Sequence, residues 1–308
     1  MAGFLILMFV ALLAVLAIAT AMLVHALTHP PRRTFTTQLA RGLPTDPGEM
    51  DLPFETHRVT QFDGSETELW LVEGSAAEGP ILIMLHGWGG SRLSGLAWLA
   101  MLRPHASRIV LFDQRGHGES TSATCEWGRA ERRDAKAIVQ HLQKSIPNHP
   151  VVLFGLSMGA AVALEAARRS SLDEVAAVIV DSPYRQAVDA VRLFMQQRRL
   201  PTFPLLWLGA AALRIWRPGF GGFDAVKTAA RLRQPLLVIH GSDDPIVPLQ
   251  HASDLADAAP NARLEVFTDA GHLQAVTTEP RRYGSALATF LKTIAGDGDT
   301  KKARPTKT

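Results

Sequence analysis

The chain has 308 residues, 47% of them hydrophobic, and its 32 basic and 29 acidic side chains leave a formal net charge of +3. Much of that surplus is local, in Arg32 and Arg33 near the start and Lys301, Lys302, Arg304 and Lys307 at the end, which excludes a nucleic-acid footprint. A single cysteine, Cys125, excludes an intrachain disulfide and gives no basis for a cysteine metal site.

In chain order, the first feature is an apolar stretch, Gly3 to Leu27. Phe4 to Val24 alone is 21 residues without a charge, enough as a helix to cross a hydrocarbon core of about 30 Å. A cleaved signal peptide is the alternative, and Ala19-Thr20-Ala21 resembles its cleavage site. No charged side chain precedes the run, however, and the run is longer than a signal core. Residues 1–27 are therefore read as a single-pass transmembrane anchor. Arg32, Arg33 and Arg41 all follow it, which by the positive-inside rule puts the remainder on the cytoplasmic side. Residues 28–54 are rich in proline and threonine and read as a tether that holds the following domain off the bilayer.

From Glu55 the periodicity changes. His57–Phe62 and Thr67–Val72 are β-prone and flank Asp63-Gly64-Ser65, the signature of an antiparallel hairpin. Short apolar runs follow at Ile81–Leu85, Arg108–Phe112, Val151–Phe154, Val175–Val180, Pro235–Ile239 and Arg263–Phe267, of the kind buried on both faces of a sheet. Helical patterns at Ser94–Leu102, Trp127–Lys144, Ser157–Arg169, Gln250–Ala258 and Pro280–Ile294 accompany them. The alternation predicts an α/β domain over 55–295 with a mostly parallel central sheet, an N-terminal antiparallel hairpin and helices on both faces. Residues 183–234 are too long for a connection and carry Met195, Trp207, Leu208, Phe220 and Phe223. They are expected to form a helical cap whose apolar face lines the active site. Residues 296–308 are polar and expected to be a disordered basic tail.

The chemistry centres on Gly155-Leu156-Ser157-Met158-Gly159, set between a strand pattern and an alanine-rich helix. Strand, G-x-S-x-G and helix make a nucleophile elbow: the serine sits on a tight, strained turn, and the glycines leave room for it. The helix that starts there aims free N–H groups at the reaction centre. Such a serine needs a base, an acid and an oxyanion donor. The other strand ends carry His86-Gly87-Trp88-Gly89-Gly90, Asp113-Gln114-Arg115-Gly116-His117-Gly118-Glu119-Ser120, Gly241-Ser242-Asp243-Asp244-Pro245-Ile246-Val247-Pro248 and Ala270-Gly271-His272.

With these motifs in this order, the chain resembles the α/β-hydrolase superfamily from about Glu55 to Ile294. The resemblance implies the α/β-hydrolase fold and an esterase- or lipase-like serine hydrolase, which the apolar run of residues 1–27 would make membrane-anchored. It implies a triad of Ser157 as nucleophile, Asp244 as acid and His272 as base, with the backbone N–H groups of Trp88 and Met158 as oxyanion donors. Asp243 is the rival acid. His86, His117 and His240 are expected to be structural, and Asp113 and Arg115 to pair with each other. No cofactor and no metal are implied. The partners expected are a small-molecule ester, with an apolar acyl chain favoured, and the membrane. Thioesterase, amidase, peptidase and acyltransferase chemistry use the same triad, and a non-catalytic tethered binding module is the reading from a different class.

Overall fold

The computed structural model describes residues 1–122, 124–216 and 223–302, so Phe220 lies outside the described residues, as does the end of the tail. Eight strands form one sheet: β1 (Phe54–Thr60), β2 (Glu66–Glu73), β3 (Ile81–Leu85), β4 (Arg108–Phe112), β5 (Val151–Leu156), β6 (Ala177–Asp181), β7 (Leu236–Gly241) and β8 (Ala262–Phe267). Their order is β1-β2-β4-β3-β5-β6-β7-β8. β1 and β2 make the expected hairpin, β2 lies antiparallel to β4, and every other pair is parallel. Every residue of β3, β5, β6 and β7 is buried, which is why each reads as an unbroken apolar run rather than an alternating one.

The helices are α1 (Ala2–Thr28), α2 (Phe35–Leu39), α3 (Arg92–Leu96), α4 (Leu99–Leu102), α5 (Glu131–Ser145), α6 (Met158–Ala167), α7 (Ala187–Gln197), α8 (Leu205–Trp216), α9 (Ala225–Ala229), α10 (Leu249–Ala258), α11 (Ala275–Thr278) and α12 (Pro280–Lys302). Ile138 and Leu142 of α5, Val162 and Leu164 of α6 and Leu255 of α10 cover one face of the sheet. Leu93 and Leu96 of α3, Leu99 of α4 and Tyr283, Leu287 and Leu291 of α12 cover the other. The register sets Leu85 beside Gly155, Leu156 beside Asp181 and Asp181 beside Ile239. The carboxyl ends of four central strands therefore finish side by side, where ligands bind in sheets of this kind.

Three expectations are corrected. The helix expected over Ser94–Leu102 is split into α3 and α4, and Trp98 at the break packs edge-on against Phe154, with centroids 5.4 Å apart. α12 continues to Lys302, so the described part of the segment expected to be a disordered tail from Gly296 is helical; once four packed turns exist, each further residue extends the helix at the cost of ordering only itself.

The third correction concerns residues 28–54, which lie against the domain instead of holding it off. The Thr28 carbonyl accepts from the Cys125 N–H at 2.8 Å. The Arg32 guanidinium donates to the carbonyls of Gly118, Ser120 and Ser122 at 3.3, 2.7 and 2.8 Å. Phe35 packs beside Trp70, and the Arg92 guanidinium lies over both rings. Proline and threonine content described the backbone of this stretch; one arginine matched to three loop carbonyls decides where it goes. The end of α1 is bound as well. Leu23 and Leu27 are buried in a third cluster with Trp127, Met158, Val191, Leu206, Leu213 and Val247. The Leu27 carbonyl accepts from the indole N–H of Trp88 at 3.2 Å and of Trp127 at 3.0 Å, which satisfies a carbonyl that a helix end leaves open.

If this docking stabilises the domain, Leu27→Ala removes a fully packed side chain and costs about 2–5 kcal/mol. Thermal unfolding of full-length protein in detergent checks it. A midpoint several degrees lower is expected; an unchanged midpoint would mean that the end of α1 lies on the domain without holding it.

Candidate active site

β5 runs straight into α6, and the junction is Ser157. Its backbone is at φ 51° and ψ −109°, a conformation that a residue with a Cβ adopts only under constraint from its surroundings. A Cβ at Gly155 would stand 2.3 Å from the carbonyl oxygen of Gly159, and one at Gly159 would stand 1.9 Å from that of Leu85. Both glycines are thus demanded by backbone packed against backbone. The Ser157 N–H donates to the Asp181 carbonyl at 2.9 Å, tying the turn to β6.

The loops after β7 and β8 bring the other residues in. His272 Nε2 is 3.0 Å from Ser157 Oγ, and His272 Nδ1 is 2.7 Å from Asp244 Oδ2. The second Asp244 oxygen accepts from the N–H groups of Ile246 and Val247, each at 2.8 Å. Burial pushes the Asp244 carboxyl up, but the hydrogen bond and charge of His272 and those two N–H donors outweigh it and hold it below its ordinary value. With Asp244 ionised, the shared proton sits on Nδ1, and Nε2 is left to accept from the serine hydroxyl. Asp243 is exposed, and its carboxylate accepts from the Ser242 hydroxyl at 2.8 Å.

The β3–α3 loop lies against the elbow. A Cβ at Gly87 would be 3.4 Å from the Ser157 Cβ, and Trp88 follows directly. Met158 is the first residue of α6. Both expected oxyanion donors therefore belong to segments that touch Ser157. His86 holds this loop: its Nδ1 donates to the Gly87 carbonyl at 2.9 Å, and its Nε2 accepts from the Gln114 N–H at 3.0 Å. Burial lowers its pKa to about 4, which keeps it neutral and fit to accept. His117 donates to the Arg115 carbonyl at 2.7 Å, and His240 to that of Val247 at 2.9 Å. All three histidines pack, as the sequence reading has them.

Asp113 and Arg115 do not pair with each other. Asp113 accepts from the Arg92 N–H at 2.8 Å and lies 3.4 Å from its Nε. Arg115 reaches Asp63 at 2.7 Å in the hairpin turn and Asp134 at 2.8 Å on α5. Two residues apart in the chain, the two side chains tie the loop to different elements.

One supporting group escaped the sequence reading. Asp181 ends β6 fully buried beneath the site. Tyr283 donates to one of its oxygens and Ser182 to the other, both at 2.9 Å, and the Ser182 hydroxyl accepts from the Leu273 N–H at 3.2 Å. The chain Tyr283–Asp181–Ser182–Leu273 thus steadies the residue next to His272. The available signal was an aspartate closing a wholly apolar strand run; its partner on the last helix lies 102 residues away.

The cap also differs from expectation. α7 and α8 pack beside the elbow, but the space beneath them is filled by Leu23 and Leu27, leaving a void of about 10 Å³. Trp207, expected to face the site, is 62% exposed. A larger, open cavity of about 720 Å³ shares none of these residues and has walls that include Trp88, Trp98, Met101, Leu156, Leu273 and Val276. Its volume is in the range of small-molecule sites, and Leu156 and Leu273 adjoin Ser157 and His272 in the chain.

Burial raises the Asp181 carboxyl from 3.8 to about 6, against the pull of the Tyr283 and Ser182 hydrogen bonds. The folded state therefore binds this proton more tightly than the unfolded one. Stability contributed here is present below about pH 4 and is lost as pH rises through about 6, a change of about 2–3 kcal/mol. Denaturant unfolding at several pH values checks it. The stability of Asp181→Asn relative to wild type should rise between pH 4 and 7; parallel curves would contradict a titrating Asp181.

Comparisons with known proteins agree with this architecture. Residues 82–286 match the Alpha/beta hydrolase family. A Pyrococcus furiosus esterase has a similar structure, with a TM-score of 0.69 and 23% identity, covering 87% of this chain and 98% of that one. Lysophosphatidylserine lipase ABHD12 of Danio rerio is 27% identical over 201 residues, which are 63% of this chain and 51% of that protein. This chain thus spans about half the length of that relative. Mouse protein phosphatase methylesterase 1 is 32% identical over 151 residues, 47% of this chain and 38% of that one. With two thirds of its length matched by the family and every strand in place, the chain belongs to the alpha/beta hydrolase family.

Proposed function

We propose that the protein is a serine hydrolase that cleaves carboxylic esters through an acyl-enzyme, with Ser157 as nucleophile, His272 as base and Asp244 as the acid that orients it. The observation that carries this reading is the unbroken hydrogen-bond chain from Asp244 through His272 to Ser157, 2.7 and then 3.0 Å long.

A serine hydroxyl is a weak nucleophile at neutral pH. As Oγ attacks the ester carbonyl carbon, its proton passes to His272 Nε2, and the imidazolium is stabilised by Asp244. The carbonyl oxygen takes the negative charge and is met by the N–H groups of Trp88 and Met158; losing one such donor costs about 3 kcal/mol of barrier. When the tetrahedral species collapses, the alcohol leaves with the proton from His272. Water then attacks the acyl-enzyme, gives its proton to His272, and the acid departs as Oγ is reprotonated.

The apolar cavity walls favour an ester with an apolar acyl chain, and the lipase among the relatives accords with a lipid-derived one. α1 is read as the membrane anchor, with the domain of 55–295 on the cytoplasmic side and residues 28–54 joining the two along the domain surface.

Two experiments test the reading. Wild type should be labelled at one site by a fluorophosphonate and Ser157→Ala should not, with its circular dichroism unchanged; labelling that survives Ser157→Ala would place the nucleophile elsewhere. Asp244→Asn should lower kcat by about four orders of magnitude through the wrong histidine tautomer, and Asp243→Asn only slightly. The reverse ranking in steady-state hydrolysis would move the acid one residue.

A further inference from the structure

α8 is apolar on nearly every side. Arg214 is the single charged residue among its 12. Leu206, Gly209 and Leu213 turn inward, and Gly209 lets Leu23 of α1 approach so closely that a Cβ there would lie 3.1 Å from it. The opposite face is bare: Trp207, Leu208 and Ile215 are 62%, 40% and 82% exposed, as is Phe203 just before the helix at 79%. A helix that is hydrophobic all round belongs in a protein core or in a membrane. Among the described residues, nothing covers this half of it.

α1 indicates what does. Its uncharged run is Phe4–Val24. The residues of α1 turned toward the domain are Leu16, Ala19, Thr20, Leu23, Val24 and Leu27, spaced as one helical stripe, and α1 packs against α8. The last nine residues of the run, Leu16–Val24, are therefore the part beside the domain, about 13 Å of helix. A bilayer that takes up the whole run takes up these residues and whatever is packed on them. Val15, Ile18 and Met22, on the other side of α1, are all at least 60% exposed, so α1 presents apolar surface there as well. Arg214 is exposed in the last turn of α8 and Arg199 is exposed in the stretch that leads into it; long stems let such guanidinium groups reach lipid phosphates. Tryptophan suits the interfacial depth.

We propose that the bare face of α8 is a membrane-docking surface: Phe203, Trp207, Leu208 and Ile215 sit in the leaflet that receives the C-terminal end of α1. The domain then rests on the bilayer. Its cavity opens at headgroup height, because Trp88 in the cavity wall donates to the carbonyl of Leu27, where α1 ends. The substrate this fits is an amphiphilic ester already in the leaflet, drawn sideways into the cavity. The inference rests on the reading of α1 as the anchor.

Cys125 is buried, so one introduced cysteine is the accessible thiol. Leu7→Cys, Trp207→Cys, Ile215→Cys and Leu172→Cys, each in the full chain, are labelled with an environment-sensitive fluorophore and reconstituted in phosphatidylcholine–phosphatidylglycerol vesicles. Leu172 is exposed in the turn before β6, at the far end of the strands. Quenching by nitroxide lipids and by aqueous iodide is then compared. Labels at 207 and 215 should be quenched by shallow nitroxides and protected from iodide several-fold relative to 172, and the label at 7 should respond to deeper nitroxides. If 207 and 215 are as open to iodide as 172 while 7 is lipid-quenched, the anchor stands and the docking surface is wrong. If 7 is also open to iodide, the anchor reading fails and the docking surface with it.

Discussion

The tight turn at Ser157 is the constraint on which the rest of this structure depends. A residue with a Cβ at φ 51° costs on the order of 1–3 kcal/mol and persists only because its neighbours leave no alternative. β5 delivers the chain to the turn between two fully buried strands, and α6 carries it away against the carbonyl of Leu85. Gly155 and Gly159 are where those backbones touch. Once the turn is set, its hydroxyl stands at the carboxyl edge of the sheet, and the neighbouring strand ends, by register alone, deliver the β3–α3 loop, Asp181, Asp244 and His272 to the same edge.

A second theme is how firmly the N-terminal segment is joined to that edge. The carbonyl of Leu27 takes both indole N–H groups, and the rings of Trp88 and Trp127 stack at 6.3 Å. Trp88 is also the residue after Gly87, which touches the elbow. Under the proposed anchor, the element that enters the membrane and the loop proposed to stabilise the oxyanion are held by the same hydrogen bonds. Position at the bilayer and geometry at the site are then mechanically linked.

Legibility in the sequence followed the range of the interaction. Runs buried on both faces were visible because both faces demand the same residue type, and the strands begin and end within about two residues of the apolar runs. The elbow was visible because a turn of this kind requires glycine at fixed offsets, and Ser157, Asp244 and His272, picked out by motif position, do lie within hydrogen-bonding distance. What the sequence did not show was which groups choose each other across the fold. Asp113 and Arg115, two apart, invited pairing but serve Arg92, Asp63 and Asp134. Asp181 and Tyr283 meet across 102 residues. The apolar residues of the cap segment were evident, but not that Leu23 and Leu27 would fill the space beneath them and turn Trp207 outward. The proline-rich stretch announced an irregular backbone and gave no hint that Arg32 would bind it down.

If the hydrogen-bonded chain from Asp244 to Ser157 performs acyl transfer, Ser157 carries the acyl group between the two half-reactions. The most direct measurement is rapid acid quench of the enzyme with a chromogenic medium-chain ester, followed by peptide mass mapping. A burst of released alcohol is expected, with an acyl adduct on the peptide containing Ser157 appearing before steady state. An adduct on any other residue would contradict acyl transfer at Ser157.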